Sequence, residues 1–229
     1  SGKLIMSPEF IELFTTGKIS HPKFSMDFPA EFITTELGND DLVLPTATLK
    51  QITELENWIN HHDTLMNGWN MKRWIKPVYR ALFHGPPGTG KTLTALIVGK
   101  KTNRDVFRID LSMVVSKFIG ETEKNLSQLF ERAKNKDWIL FFDEADALFG
   151  KRTNVRDAHD KYANQEVAYL LQRIESHNGL IILASNFKSN IDEAFIRRFQ
   201  SVIYFPLPSA GERLQLWEKT LPVNSGLKI

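Results

Sequence analysis

The run Gly85-Pro86-Pro87-Gly88-Thr89-Gly90-Lys91-Thr92 fits G-x-x-x-x-G-K-[ST], the spacing at which a glycine-rich turn wraps a phosphate. Glycines let backbone N–H groups turn inward on an anion, and a helix opening at the end of the loop adds partial positive charge. Lys91 is then the residue for the outer phosphates, and the Thr92 hydroxyl a ligand for Mg²⁺. A glycine turn with a coincidental lysine would give the same letters. An apolar run before it and a helical pattern after it supply the context the motif requires. A second group of chemical residues follows at Asp143-Glu144-Ala145-Asp146. Four apolar residues, Ile139 to Phe142, deliver two acids at the carboxyl end of a buried strand, where ligands of open α/β sheets sit. Asp143 is placed to hold Mg²⁺ through its water shell, and Glu144 to polarise an attacking water as general base. Capping of the next helix would explain Asp143 alone but not the adjacent acid.

Both motifs need strands that end side by side and helices that start there. Short apolar runs supply the strands: Ala81-Leu82-Phe83, Val106 to Ile109, Ile139 to Phe142, Leu180 to Ala184 and Val202 to Phe205. Between them, helical spacing predicts helices over Thr92–Lys101, over Thr122–Lys134 with Leu126, Leu129, Phe130 and Ala133 on one face, and over Ala163–Glu175 with Val167, Leu170, Leu171 and Ile174. Strands apolar on both faces, alternating with helices, predict a parallel sheet covered on each side. Upstream, Thr48 and Gln51 form a capping box ahead of the stripe Leu49, Ile52, Leu55 and Ile59. Residues 1–35, with prolines at 8, 22 and 29, read as an irregular N-terminal extension or linker.

Composition narrows the classes. At 229 residues, 42% hydrophobic and 24% charged, the chain has the make-up of a globular domain rather than a disordered one. The absence of cysteine excludes disulfide frameworks, thiol nucleophiles and thiolate zinc sites, and fits a reducing, cytoplasmic setting. A formal charge of +2, from 29 Lys and Arg against 27 Asp and Glu, is too balanced for a nucleic-acid coat or a polybasic membrane anchor. No apolar stretch approaches the roughly 18 residues of a membrane span. His61, His62 and His159 lack the carboxylate or thiolate company of a metal site and read as solvated or packed.

With these motifs in this order, the sequence resembles the AAA ATPase family over about Asp40 to Arg213, and within it the remodelling ATPases of the spastin and katanin type. The resemblance implies an α/β P-loop NTPase with a five-stranded parallel sheet and helices on both faces over residues 36–208. It implies also a helical lid, of which residues 209–229, with one helix over Gly211–Leu221, are the start of a truncated version. Mg²⁺ and ATP are the implied cofactor and ligand, held by Gly85 to Thr92 and Asp143, with Asp41 and Leu42 where family members contact adenine. Ala184-Ser185-Asn186 resembles the sensor-1 segment, which gives Asn186 the role of orienting water against the γ-phosphate. Ile191 to Phe199 resembles the second region of homology, so Arg197 or Arg198 is the finger that enters a neighbouring subunit's nucleotide. Phe118 and Ile119, ahead of Gly120, resemble the first pore loop, which grips a threaded protein substrate, and Lys151 to Asp157 the second. The implied assembly is a homo-oligomer, a hexameric ring, of the full-length protein.

Other nucleotide-binding classes fit less well. A DEAD-type helicase needs a second sheet domain and a Ser-Ala-Thr motif, and the guanine-reading motif of GTPases is only approximated by Asn135-Lys136-Asp137-Trp138. The sequence leaves open a nucleotide-gated interaction module with little hydrolysis. A clamp-loader relative is weaker, because no basic aromatic surface stands out.

Overall fold

The apolar runs assemble into one six-stranded sheet in the computed structural model, which describes residues 8–17, 21–25, 28–75, 77–111, 121–134, 136–146, 168–186 and 196–221. Its strands are β1 (Glu31–Ile33), β2 (Tyr79–His84), β3 (Asp105–Asp110), β4 (Trp138–Asp143), β5 (Leu180–Ser185) and β6 (Ser201–Tyr204), in the order β1-β3-β4-β5-β2-β6. All pairings except β1 with β3 are parallel. The register sets Leu82 beside Leu183 and His84 beside both Ser185 and Tyr204, so the carboxyl ends of β2, β5 and β6 finish level.

Neighbouring residues on a strand face opposite ways, so each apolar run feeds two cores. Leu82, Phe142 and Ile181 point to one side, where α4 (Glu121–Ala133) packs Leu126, Leu129, Phe130 and Ala133, and a helix over 168–176, here α5, packs Leu170 and Ile174. Phe83, Phe141 and Ile182 point to the other, against Ile52, Leu55 and Ile59 of α2 (Thr46–Asp63) and Ala95, Ile97 and Val98 of α3 (Lys91–Thr102). Each fully buried Phe, Leu or Ile contributes about 1.5–3 kcal/mol by leaving water. The two cores thus hold β2, β4 and β5, the strands that carry the chemical motifs, more firmly than any loop hydrogen bond could.

The structure departs from the sequence reading at three places. Within the segment read as irregular, residues 31–33 form β1, an antiparallel edge strand on β3, and Phe28 and Ala30 are buried in the core. Three residues after a proline are too few to show an alternation, and their conformation is set by the partner strand. Pro8–Thr16 of the same segment form helix α1. The capping box at Thr48 does not form: α2 starts at Thr46 with Pro45 at the N-cap position, and the buried Thr48 hydroxyl donates to the carbonyl of Tyr204 at 3.0 Å. A hydroxyl one turn into a helix that packs on the sheet is worth more as a tertiary bond than as a cap.

After β6 comes α6 (Ala210–Thr220), where the Ser209 hydroxyl accepts from Glu212 N at 3.3 Å and the Glu212 carboxylate accepts from Ser209 N at 2.7 Å. Among the described residues, no helix is long and apolar enough to cross a membrane.

Candidate functional site

The loop between β2 and α3 owes its shape to glycine. Gly85 has φ +148, and a Cβ there would stand 2.0 Å from the carbonyl oxygen of Phe205, so only hydrogen allows the loop to pass beneath β6. Gly88 and Gly90 have φ +74 and +92, with open space where a Cβ would project. These are conformations that side chains disfavour and that glycine adopts freely. The Gly90 residue is the N-cap of α3, so the helix begins with unsatisfied N–H groups at the loop. Pro87 and Gly88 are exposed, and Pro86, Gly90 and Thr92 are partly exposed. Thr89 is buried and donates from its hydroxyl to the carbonyl of Pro86 at 2.8 Å, tightening the turn.

Lys91 lies across this loop rather than in solvent. Its Nζ donates to the carbonyls of Gly85 at 2.7 Å and Pro86 at 2.9 Å and to Asn186 Oδ1 at 3.2 Å. Burial pulls its ammonium below the ordinary lysine value, and the carboxylates of Asp143 and Asp146 act in the opposite direction. A cation held by three neutral oxygens is ready to exchange them for anionic ones, since charge-assisted bonds are about twice as strong.

The acids stand at the end of β4, next to β5 in the sheet. Asp143 is partly exposed, and its Oδ1 accepts the Glu144 N–H at 3.0 Å. Glu144 is exposed and has φ +52, a left-handed conformation uncommon outside glycine and costing about 1–2 kcal/mol. Ala145 N donates to the carbonyl of Ala184 at 2.8 Å, stitching the ends of β4 and β5. Asp146 extends the stitch: its Oδ1 accepts from the Ser185 hydroxyl at 2.5 Å, and its Oδ2 accepts from Asn186 N at 2.9 Å. The structure therefore brings Lys91, Asn186, Asp143 and Glu144 to one end of three adjacent strands.

Of the remaining sequence candidates, Asp41 closes a 3₁₀ turn over Asn39–Asp41, where its Oδ2 accepts Gly38 N at 2.7 Å. Leu42 is buried in the core cluster that contains Ala95 and Phe205. Arg197 and Arg198 are both exposed, yet differ. The Arg198 guanidinium pairs with the Glu175 carboxylate, and its carbonyl accepts from Arg80 Nε at 3.0 Å. Arg197 makes no hydrogen bond or ion pair with another described residue. Phe118, Ile119 and the run Lys151 to Asp157 lie outside the described residues.

Two features escaped sequence reasoning. Asp146 and Ser185 meet across 39 positions, a pairing that no local pattern reports. Arg80 is buried inside β2, where an arginine among apolar residues gave the only signal; its guanidinium also donates to the carbonyl of Glu175 at 3.1 Å.

A parallel sheet with a glycine loop and lysine after one strand and an acid pair after another defines a P-loop nucleotide-binding protein. The family described as "ATPase family associated with various cellular activities (AAA)" matches over residues 81–207, more than half of the sequence, and the chain belongs to that family. It is 33% identical over 210 residues to an uncharacterized AAA family ATPase, y4kL, of Sinorhizobium fredii, covering 90% of this chain and 61% of that protein. It is 38% identical over 149 residues to the proteasome-activating nucleotidase of Aeropyrum pernix, covering 62% of this chain and 36% of that protein. The FIGL-1 AAA domain superposes with a TM-score of 0.64 at 27% identity over 83% of this chain and 61% of that one, and it has also been solved in complex with ADP. The chain thus spans between 36% and 61% of the length of these relatives.

Proposed function

We propose that this chain binds Mg·ATP at the β2–α3 loop and hydrolyses it where two copies meet, within a hexameric ring of the full-length cytoplasmic protein, and that hydrolysis drives remodelling of a protein substrate. The observation that carries the reading is Lys91, a buried cation held by the Gly85 and Pro86 carbonyls and Asn186 and near the carboxylates of Asp143 and Asp146. The ADP complex of the FIGL-1 AAA domain supports the choice of adenine nucleotide, with Asp41 and Leu42 on the adenine side.

The fit to a nucleotide rests on the open space above Gly88 and Gly90, where backbone amides and the α3 N-terminus can surround a phosphate. Lys91 turns its protons from carbonyls to phosphate oxygens. The Thr92 hydroxyl and Asp143 are the oxygen donors for Mg²⁺, which needs only one or two protein ligands beside phosphate and supplies charge neutralisation there. Glu144, exposed and with its carboxylate next in sequence to that of Asp143, accepts the proton of the attacking water. Asn186 positions that water through its amide. Arg197, with no partner among the described residues, reaches the neighbouring copy, while Arg198 keeps its pairing with Glu175. Phe118 and Ile119 grip the substrate polypeptide, for which the family resemblance is the support.

Titration with Mg·ATP tests the reading. Glu144→Gln should bind ATP like the parent and release no phosphate, whereas Lys91→Ala should weaken binding itself. Loss of binding in Glu144→Gln would overturn the role given to Glu144, and low turnover by the parent assembly at every protein concentration would favour a nucleotide-gated interaction module.

A further inference from the structure

Asn186 can aim its amide only if its backbone is held, and the group that holds it lies just beyond the end of the neighbouring strand β4. Asp146 receives the Ser185 hydroxyl at 2.5 Å on Oδ1 and the Asn186 N–H on both oxygens, at 3.2 Å and 2.9 Å. Asn186 in turn presents Oδ1 to Lys91. Ser185 is fully buried, and Asp146 and Asn186 are partly so. A carboxylate accepting two donors in so sheltered a place fixes them more firmly than neutral acceptors do. The bond from Ala145 N to the carbonyl of Ala184 prevents the two strand ends from sliding, so the carboxylate cannot follow a displaced Asn186.

We infer that Asp146 is a positioning residue for hydrolysis: it clamps the Ser185–Asn186 end of β5 to the end of β4, leaving the Asn186 side chain free to pass from Lys91 to the attacking water while its backbone stays fixed. The inference rests on the proposed role of Asn186. Asp146 itself touches neither nucleotide nor water in this scheme. A neutral amide can keep the clamp, because an Asn at this position can accept Asn186 N on its oxygen and donate to the Ser185 hydroxyl, which accepts as readily as it donates. An alanine cannot.

The test uses the full-length protein and two kinds of measurement. Amide hydrogen exchange without nucleotide should show Asn186 N–H exchanging about 10- to 100-fold faster in Asp146→Ala, with Ile182 and Leu183 unchanged, as expected for loss of one charge-assisted bond. In Mg·ATP turnover, Asp146→Ala should lose about tenfold or more in kcat with ATP affinity within about threefold, and Asp146→Asn should recover most of that loss. Equal exchange at Asn186 in parent and Asp146→Ala overturns the clamp. So does a loss of affinity and melting temperature matching the loss in kcat, or a failure of Asp146→Asn to recover. If Asn186→Ala turns over like the parent, the role given to Asn186 fails instead, and the exchange result still decides whether Asp146 holds that backbone.

Discussion

Lys91 Nζ and Asn186 Oδ1, 95 residues apart in sequence, meet at 3.2 Å and join the first turn of α3 to the end of β5. The bond spans two adjacent strands, and their parallel pairing keeps the two ends level. The two meet beside the carbonyls of Gly85 and Pro86, one as a charged donor and the other as a neutral amide. Their variants should therefore fail in different ways. Lys91→Ala removes a charge-assisted contact to phosphate and should weaken ATP binding by about 1.5–3 kcal/mol. Asn186→Ala should leave binding within about threefold and lower kcat by about 10- to 100-fold. Calorimetric titration beside phosphate-release assays separates the two, and equal loss of affinity in both would refute the division.

Glu144 combines the side chain proposed as general base with a costly backbone. Its φ of +52 is one that glycine adopts freely. Glu144→Gly should then keep or raise stability, by up to about 1 kcal/mol, while abolishing turnover. A chemical denaturation curve showing a loss of 1 kcal/mol or more (about the cost of an ordinary destabilising substitution) would mean that the left-handed conformation is not under strain.

How much of this was legible in the sequence depends on whether the signal was local. The glycine loop, the acid pair and the five parallel strands each sit in a run of a few residues, and periodicity placed the strands, α3 and α4 within a few positions, while residues 163–167 of the helix expected over Ala163–Glu175 lie outside the described residues. The edge strand at Glu31–Ile33 was not legible, because three residues carry no period and Pro29 argued for a break. Nor was the use of Thr48, whose partner Tyr204 is 156 positions away. The same holds at the site. Lys91 was read from its motif, but the clamp of Asp146 on Ser185 and Asn186 exists only once β4 and β5 lie side by side.

Gly85 offers a test of the close approach beneath β6. A Cβ would collide with a backbone oxygen 2.0 Å away, and backbone cannot swing aside as a long side chain can. Gly85→Ala should cost about 3 kcal/mol or more, against roughly 1 kcal/mol for a typical substitution. A melting temperature within a degree or two of the parent would show that β6 and the loop separate without penalty.

The two adjacent arginines should part company. Arg198 is engaged with Glu175, but the pair is half exposed, so Arg198→Ala should cost no more than about 1 kcal/mol of stability. Arg197→Ala should leave the melting temperature unchanged and remove the rise in specific turnover with protein concentration. Mixing Arg197→Ala with Glu144→Gln is informative, because under the proposed action between copies each would supply what the other lacks. Recovery of part of the activity in the mixture supports action between copies, and none at any ratio would place Arg197 elsewhere.

His177 predicts how the fold responds to acid. It follows α5 and lies against Phe130, with ring centroids 5.5 Å apart, and a Cβ on Gly179 would stand 2.5 Å from its Nε2. Burial, aided by the nearby Arg173 cation, lowers its pKa from 6.5 to about 4. Between those values the unfolded chain binds a proton that the folded chain refuses. The contribution is therefore fully present above pH 6.5 and is lost as the pH falls toward 4, with no further loss below. Linkage puts the loss at about 2–3 kcal/mol by pH 4.5, in addition to that from other groups. His177→Phe keeps an aromatic ring against Phe130 and removes the titration. Denaturation at pH 7.5 and 4.5 should show the parent losing more stability than this variant by about that amount, and parallel losses in the two proteins would mean that His177 takes up its proton in the folded state as freely as in the unfolded one.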